Sequence, residues 1–322
     1  MMKGKNSVNS TENRNECIAC ASSLYNLEVR AIVAPWIREL TGFESRSVTY
    51  RRCKECNSGW IVESYSEEEM ARLYRDYRGK KYLETRRNWE PTYTSHLNSS
   101  LDRGNEHLQL RKKALTELIE SSRSNFSSEA EVVVDIGGGH GGVIPDWQSL
   151  KRKYVLDVSG VQTVEGVVSI SGWDEIKERE VNLIMVCGIL EHLANPENFL
   201  KKLASDSRKK RSSSVGTLIY FEVPSGTPIR PKNAGKLVLA LSLSRFRITW
   251  KLYDRLTSRF RSRFPLRIAE HIQFFTLQGL SSLLQRSGFR VLGAEDYSYK
   301  QSLSKNQGIR FSSNIAIVAE LI

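Results

Sequence analysis

The chain has 322 residues, 40% of them hydrophobic, and a formal net charge of +12. This length can bury a substantial core and favours one catalytic domain with an accessory element. No apolar run approaches the roughly 20 residues that span a bilayer, and the N-terminus lacks the apolar core of a signal peptide. We therefore expect a cytoplasmic protein rather than a membrane-spanning or secreted one.

The N-terminal part contains four of the five cysteines in two Cys-x-x-Cys pairs, after a polar tail, 1–16, that we expect to be disordered. The pairs are Cys17 with Cys20 and Cys53 with Cys56. Two such pairs can complete a tetrahedral Zn2+ shell with no open position, so the spacing predicts a structural zinc in a knob over 17–62. The alternative is four unrelated buried or free cysteines.

Residues 63–104 are predicted to form a helical linker or lid. Apolar spacing predicts a helix from Glu67 to Leu83, and we expect the segment Arg86–Pro91 to break it. Aromatic and cationic side chains cluster here and suit contacts with a cofactor or a phosphorylated sugar, although a solvated surface is the simpler interpretation. The members of this cluster are Tyr77, Tyr82, Arg86, Tyr93 and His96.

From 105 to 322, apolar strand-like runs alternate with helical or loop segments, after a predicted amphipathic helix from Glu106 to Ser121. The runs lie at 132–134, 153–156, 167–168, 182–186 and 217–223. Continuous apolar strands separated by crossovers predict an α/β fold with a doubly wound, Rossmann-like, mostly parallel sheet of seven strands. A last helix, 277–287, is followed by two strand-like runs that should form an antiparallel hairpin.

A glycine-rich segment, Asp135–Gly142, follows the first of these strands. Glycine has no Cβ, so the backbone can turn tightly and approach a ligand at the strand's carboxyl end. Asp157 ends the next strand, 22 residues beyond Asp135, where a carboxylate can bind the hydroxyls of a ribose. These features alone suit either a dinucleotide or S-adenosylmethionine (SAM).

Three downstream motifs in order, Leu190–Pro196, Glu222–Pro224 and His271–Thr276, resemble those of class I SAM-dependent methyltransferases over about 105–320. The resemblance implies that one group of residues lines the methionine side of SAM and that Asp157 holds its ribose. That first group is Asp135, Gly137, Gly139 and Gly141. Trp173 and Asp174 are the nearest candidates for adenine contact, although Trp173 also suits a core position. Asn182 stands where the family usually has aspartate.

A cysteine knob joined to a SAM domain is similar to the sugar C-methyltransferases and to related enzymes of polysaccharide and natural-product pathways. Glu270 and His271 stand where that family has a Glu-His pair implicated in proton chemistry, but Ile268 replaces an expected tyrosine. We interpret His271 as the base, with Glu270 as its catalytic partner, and His192 as a positioning or substrate-contacting group. Structural roles for both histidines are the alternative.

The predicted insertion, 228–267, is strongly basic: from Arg230 to Arg267 it has eleven Lys or Arg residues and one acid, Asp254. Apolar and basic residues recur there at helical spacing, which predicts a cationic amphipathic helix. Such a helix suits an anionic lipid surface, a polyanionic substrate, or packing against the domain or a second subunit. The sequence leaves the oligomeric state open.

These features predict SAM-dependent methyl transfer to a sugar hydroxyl or carbon, in a nucleotide sugar or in a surface glycan that is lipid-linked. An RNA methyltransferase is the alternative enzyme, supported by charge and zinc. Nucleic acid is the less favoured partner because no aromatic clamp for a flipped base is evident. A non-catalytic scaffold or regulator that keeps the fold is the third hypothesis.

Overall fold

The computed structural model describes residues 14–95, 105–176, 180–208, 216–226, 242–258, 267–302 and 309–322. His96, most of the tail predicted to be disordered and much of the predicted insertion lie outside these ranges. Within the described residues, no helix is long and apolar enough to cross a membrane.

The secondary structure elements are numbered in chain order. The strands are β1 (Tyr25–Val33), β2 (Ser47–Cys53), β3 (Gly59–Ile61), β4 (Val132–Ile136), β5 (Arg152–Leu156), β6 (Val167–Ile170), β7 (Leu183–Cys187), β8 (Leu218–Pro224), β9 (Arg267–Ile268), β10 (Gln273–Phe274), β11 (Phe289–Ser302) and β12 (Ile309–Leu321). The α-helices are α1 (Pro35–Thr41), α2 (Glu67–Tyr74), α3 (Lys80–Trp89), α4 (Asn105–Ser122), α5 (Phe126–Glu129), α6 (Pro196–Arg208), α7 (Arg247–Ser258) and α8 (Leu277–Arg286).

The main sheet has seven strands in the order β11-β12-β8-β7-β4-β5-β6. The five strands from β8 to β6 are parallel, and β12 pairs antiparallel with both β8 and β11. This arrangement confirms the predicted α/β fold with a mostly parallel seven-stranded sheet. The final hairpin is present as well, with Phe289 opposite Leu321.

Both faces of the central strands are covered, which explains why β4, β7 and β8 are mainly apolar and buried. In β8, Leu218 and Tyr220 belong to one buried cluster, whereas Ile219 and Phe221 belong to a cluster on the other face. Side chains alternate across a strand, so each face receives a full set of apolar groups. Asn182 lies just before β7, and its Oδ1 accepts hydrogen bonds from the backbone N–H groups of 131 and 132. Asn182 thus links the start of β7 to the start of β4.

A second sheet of five strands, in the order β10-β3-β2-β1-β9, lies in the N-terminal part. Its outer strands, β9 and β10, come from 267–274, which the sequence analysis assigned to the catalytic domain. The predicted knob over 17–62 is therefore not self-contained. We call the unit formed by residues 25–95 and 267–274 the cap. Large buried aromatic side chains in its core include Trp36, Tyr50 and Tyr65.

The predicted helix over 67–83 is in fact two helices, and the second, α3, ends at Trp89, within the segment 86–91 where the sequence predicts a break. A capping box at Ser66 starts α2, which ends at Tyr74. The chain then turns through Arg78, whose φ of 60° is in the left-handed region that helices exclude. The carboxylate of Asp76 accepts a hydrogen bond from the backbone N–H of Tyr82 and helps to start α3.

Candidate active site

The glycine loop follows β4 at the carboxyl edge of the main sheet. Gly137, Gly139 and Gly141 have φ values of 66°, 55° and 79°, a conformation in which a Cβ is strained. A Cβ on Gly137 would lie 2.7 Å from the side chain of Ile189, whereas one on Gly139 would meet nothing within 4 Å. The loop therefore packs against the protein at one end and is open at Gly139.

Two carboxylates flank this open position. Asp135 is fully buried, and neither of its oxygens has a hydrogen-bond partner among the described residues. Burial raises the pKa of the Asp135 carboxyl to about 7, although nearby Arg111 opposes the rise. The carboxylate of Asp157 accepts hydrogen bonds from the backbone N–H groups of Gly139, at 2.8 Å, and Ser159, at 2.7 Å.

This geometry fits a ligand such as SAM, because unpartnered buried oxygens lie beside a backbone that no side chain covers. The ribose and methionine contacts assigned to individual residues remain predictions. Trp173 lies in a short 3-10 helix after β6, where it packs against the hydrophobic core, and Asp174 beside it is exposed. Contact of these two residues with adenine is also still a prediction.

A second group of polar side chains lies where the loop after β7 meets the segment between β9 and β10. The backbone N–H of Ile272 donates to the carbonyl of Glu191 at 2.9 Å. The Nδ1 of His192 lies 3.1 Å from the carbonyl oxygen of Glu270, and the rings of His192 and His271 are 4.7 Å apart. The structure thus brings His192 together with Glu270 and His271, which lie 78 and 79 residues further along the sequence.

Burial sets the charge states of these groups. It lowers the pKa of His192 to about 3, with a further contribution from His271, and it also lowers the pKa of His271. Both imidazoles are therefore neutral near pH 7. Because a carbonyl only accepts, Nδ1 of His192 carries the proton and its Nε2 lone pair lies 3.7 Å from Oε1 of Glu191. Burial raises the pKa of Glu191 to about 8.

Glu270 is the charged member of the group. Burial alone would raise its pKa, but Arg86 and the hydrogen bond from Tyr82 outweigh that effect and hold the pKa below its ordinary value. Arg86 Nη1 lies 3.3 Å from Glu270 Oε1, and the hydroxyl of Tyr77 donates to Oε2 at 3.2 Å. Tyr82 also donates its hydroxyl proton to Glu270. The carboxylate is thus held by three side chains of the cap.

The aromatic and cationic cluster predicted to contact the substrate supports Glu270 instead of lining an open surface. Tyr82 and Tyr93 are buried in the core of the cap, and the Arg86 guanidinium lies 3.7 Å from the centroid of the Tyr93 ring. Direct contact of these residues with a substrate remains a prediction. His96, the last member of the cluster, lies outside the described residues.

Sequence reasoning missed two groups at this edge, the buried Glu191 and the half-buried Arg111. Glu191 was passed over although it directly precedes His192 in a recognised motif. Arg111 lies on α4 and its Nη2 is 2.8 Å from Oε1 of Glu222, which also accepts a hydrogen bond from Asn314. Arg111 gave no signal, because a basic residue on an amphipathic helix is usually solvated.

The four cysteines of the two Cys-x-x-Cys pairs lie within one cluster, with all sulfurs within 4.8 Å of one another. The closest pairs are Cys17 with Cys56 at 3.6 Å and Cys20 with Cys53 at 3.5 Å. Tetrahedral Zn2+ with bonds of about 2.3 Å would place the sulfurs about 3.8 Å apart, so the donor set fits zinc. A hydrogen bond from Cys17 lowers the pKa of Cys56 to about 5, which favours a thiolate.

A second set of metal-compatible groups among the described residues is Glu191, His192 and His271, whose donor atoms also lie within 4.8 Å of one another. This set mixes one carboxyl with two neutral imidazoles, which are groups that accept or hold protons as readily as they bind a cation. This set lies beside the loop after β7, whose Ile189 side chain packs close to Gly137 of the glycine loop.

A parallel sheet in this order, with a glycine loop after its central strand and proton-accepting groups at the same edge, defines a class I SAM-dependent methyltransferase. Residues 105–294, more than half of the chain, match the family model described as "Methyltransferase domain". The chain belongs to this family and is a SAM-dependent methyltransferase.

No curated protein matches the chain at a significant level. Among solved structures, a Bacillus halodurans protein described as a methyltransferase has 11% identity and a TM-score of 0.35, over 63% of this chain and 98% of that one. The N-terminal domain of EvdMO1 with SAH bound has 12% identity and a TM-score of 0.32, over 66% and 80%. An O-methyltransferase family protein from Burkholderia thailandensis has 11% identity and a TM-score of 0.32, over 65% and 57%. The family membership depends on the match over 105–294.

Proposed function

We propose that this enzyme transfers the methyl group of SAM to a sugar, in a nucleotide sugar or a surface glycan. The observation that supports this proposal is the pair of neutral histidines beside the Glu270 carboxylate, at the sheet edge that carries the glycine loop. Methyl transfer to a hydroxyl requires a group that removes its proton, and a neutral imidazole near pH 7 is suited to that task.

On the donor side, Asp135, Gly139 and Asp157 would hold the cofactor. Bound SAM supplies an electrophilic methyl group on a sulfonium. The chain's own contribution is alignment, because a displacement at carbon requires the nucleophile in line with the leaving group. The hydrogen bond from Gly139 N–H to Asp157 fixes this carboxylate before any ligand arrives.

On the acceptor side, we assign His271 as the base, because it is half-buried whereas His192 is 8% exposed. His192 donates Nδ1–H to the carbonyl of Glu270 and so orients the segment that carries His271. The Glu270 carboxylate favours the imidazolium that forms when His271 accepts a proton, since it raises the pKa of His271 against burial.

The nature of residue 268 favours a hydroxyl acceptor over a carbon acceptor. Ile268 stands where the sugar C-methyltransferases have a tyrosine, and it is buried in β9 opposite Val33. No hydroxyl can come from this position, and the tyrosine hydroxyls of Tyr77 and Tyr82 are engaged with Glu270. We therefore propose an O-methylated sugar as the first product to seek.

A labelled-methyl assay tests this function. Purified enzyme with SAM should label nucleotide sugars or lipid-linked glycans, and His271→Asn should abolish the label without weakening SAM binding in calorimetry. Absence of SAM binding by the wild type would contradict every hypothesis in which the chain is a methyltransferase, whatever its acceptor. SAM binding with turnover of RNA and not of sugars would support an RNA methyltransferase, and binding without any turnover would support a scaffold.

We also propose a structural Zn2+ at Cys17, Cys20, Cys53 and Cys56. The cluster is tied to α8, since the hydroxyl of its N-cap Thr276 donates to the carbonyl of Cys56 at 2.5 Å. Metal analysis should find one zinc per chain, and Cys53→Ser should lose it and destabilise the cap. Cys187→Ser, at a cysteine outside the cluster, is the matched control and should keep the zinc. A zinc-free wild type would overturn the assignment.

A further inference from the structure

Helix α7 of the basic segment packs against the cap through one face. Trp250 and Tyr253 are buried on this face and pack with Ile32 of β1. Asp254 is 1% exposed, and its Oδ2 accepts a hydrogen bond from the Thr92 hydroxyl at 2.5 Å. These contacts fix the helix to the cap. They also bury Asp254, the only acid in the sequence from Arg230 to Arg267.

The opposite face of α7 is apolar and exposed. Ile248 is 76% exposed and Leu252 is 54% exposed, and Phe246, just before the helix, is 65% exposed. At 100° per residue, Ile248 and Leu252 lie within an arc of about 100° that also contains Lys251 and Arg255. This arc, the docking face, points away from the buried face and presents large apolar groups beside cations.

Neighbouring exposed apolar side chains of this size form a surface that a partner can cover, and their charge surroundings indicate which one. RNA phosphates would account for the basic residues but leave Ile248 and Leu252 in water. An apolar protein surface would account for Ile248 and Leu252 but not for a segment with eleven Lys or Arg residues. An anionic bilayer accounts for both, because apolar side chains enter the headgroup boundary while cations contact lipid phosphates.

We propose that the docking face of α7 binds the surface of an anionic membrane. The helix lies in the plane of the headgroups, with Ile248 and Leu252 inserted and with Lys251 and Arg255 on lipid phosphates. Docking does not depend on the identity of the acceptor. Its consequence, that the sugar acceptor is presented on a lipid at the same surface, rests on the proposed function.

A chain of alternating charges connects α7 to the acceptor side of the active site. Arg267 Nη1 lies 3.4 Å from Asp254 Oδ1 and 2.9 Å from Glu90 Oε1. Glu90 in turn lies 3.5 Å from Arg86, which contacts Glu270 at 3.3 Å. Because these ion pairs run through the cap, a docked α7 holds Glu270 at a fixed position relative to the lipid surface.

Vesicle co-sedimentation of the full chain tests docking, with vesicles of equal parts phosphatidylglycerol and phosphatidylcholine. The wild type should bind these vesicles and not pure phosphatidylcholine, and binding should weaken in about 0.5 M salt. Ile248→Ser with Leu252→Ser should weaken binding at least about tenfold. Lys251→Glu with Arg255→Glu should weaken it at least about 30-fold. The matched control, Val158→Ser with Val168→Ser, removes exposed apolar groups elsewhere and should bind like the wild type.

Each of the following outcomes would overturn the proposal that α7 docks on a membrane. Equal binding by the wild type and the Ile248→Ser, Leu252→Ser variant would exclude insertion. RNA binding that depends on Lys251 and Arg255 but not on Ile248, with no vesicle binding, would identify a nucleic-acid surface. A wild-type dimer that dissociates in the Ile248→Ser, Leu252→Ser variant, again without vesicle binding, would identify a second copy as the occupant. SAM calorimetry on the same samples separates a failure of docking from a failure of the proposed function.

Discussion

The donor side and the acceptor side of the active site are built in opposite ways. The donor side comes from one short stretch, 135–159, and relies on glycines in left-handed conformations and on two backbone hydrogen bonds to the Asp157 carboxylate. The proposed acceptor side joins α3, the loop after β7 and the segment between β9 and β10, and relies on a half-buried ion pair between Arg86 and Glu270. The residues predicted to bind the methyl donor therefore belong to one local motif, whereas the proposed chemistry at the acceptor depends on how distant segments pack.

The strongest test of the difference between the two sides is to remove the proposed base, His271, alone. We expect His271→Asn to lower kcat by about 10²- to 10⁴-fold, since a positioned general base contributes that much. SAM affinity should stay within about twofold, because Asp135 and Asp157 are unaffected. Rates with labelled SAM and calorimetry on the same sample provide the two measurements. A parallel loss of SAM affinity would show that the free energy of SAM binding depends on His271, so that the two sides are coupled.

Removing the central cation of the acceptor side tests its dependence on buried charge. Arg86→Met leaves Glu270 and Glu90 without their shared partner, and we expect a loss of about 3–5 kcal/mol in the free energy of unfolding. Denaturant titration measures this loss. Arg87→Met, at the exposed neighbouring position of α3, is the matched control and should change stability by less than about 0.5 kcal/mol. Similar effects of both substitutions would contradict a buried network.

A substitution on the donor side should change the affinity for SAM and not the free energy of unfolding. We expect Asp157→Ala to weaken SAM binding by about 10- to 100-fold, the worth of one or two hydrogen bonds to a charged group. The fold should be retained, because the substitution removes only one side-chain acceptor of the Gly139 N–H and leaves the buried strands around the loop unchanged. Calorimetry checks the affinity and thermal unfolding checks the fold. Unchanged affinity would remove Asp157 from the cofactor site.

The contrast between the two sides also explains what the sequence could predict. The strands of the main sheet were found because each is a continuous apolar run, and the final hairpin because two such runs follow α8 without a helix between them. The strands β9 and β10 were missed, since each has only two residues and carries no pattern of its own. They complete the cap sheet and place Glu270 and His271 between them. The sequence thus named Glu270, His271 and His192, but it did not show that these short strands bring them together, and their catalytic roles stay predictions.

The cysteine pairs and the turn after α2 illustrate the same limit. The spacing of the four cysteines was sufficient to predict that their sulfurs lie together, because each pair forms its own turn. The turn at Arg78 was missed, because arginine carries no signal for a positive φ. Its conformation depends on the packing of α2 and α3 against α1. Tertiary contacts at that turn outweigh the local helical pattern.

The smallest expected effect is a pH dependence of stability that originates on the acceptor side. The pKa of Glu191 is raised from 4.5 in the unfolded chain to about 8. Between these values the folded state binds more protons, so the free energy of unfolding falls as pH rises. The pKa of His192 is lowered from 6.5 to about 3, so its contribution is complete above pH 6.5 and is lost as pH falls toward 3. The two slopes oppose each other below pH 6.5.

Above pH 6.5 the contribution of Glu191 is no longer opposed by that of His192, and Asp135, with a pKa raised to about 7, acts in the same direction. We expect stability to fall between pH 6.5 and 8 by roughly 1 kcal/mol per pH unit. Denaturant midpoints measured across this range should decline less steeply in Glu191→Gln, whereas Glu117→Gln, at an exposed carboxylate of α4, should leave the decline as it is. An unaltered decline in Glu191→Gln would mean that its carboxyl is already ionised in the folded protein, and His192 would then face a negative charge instead of a neutral one.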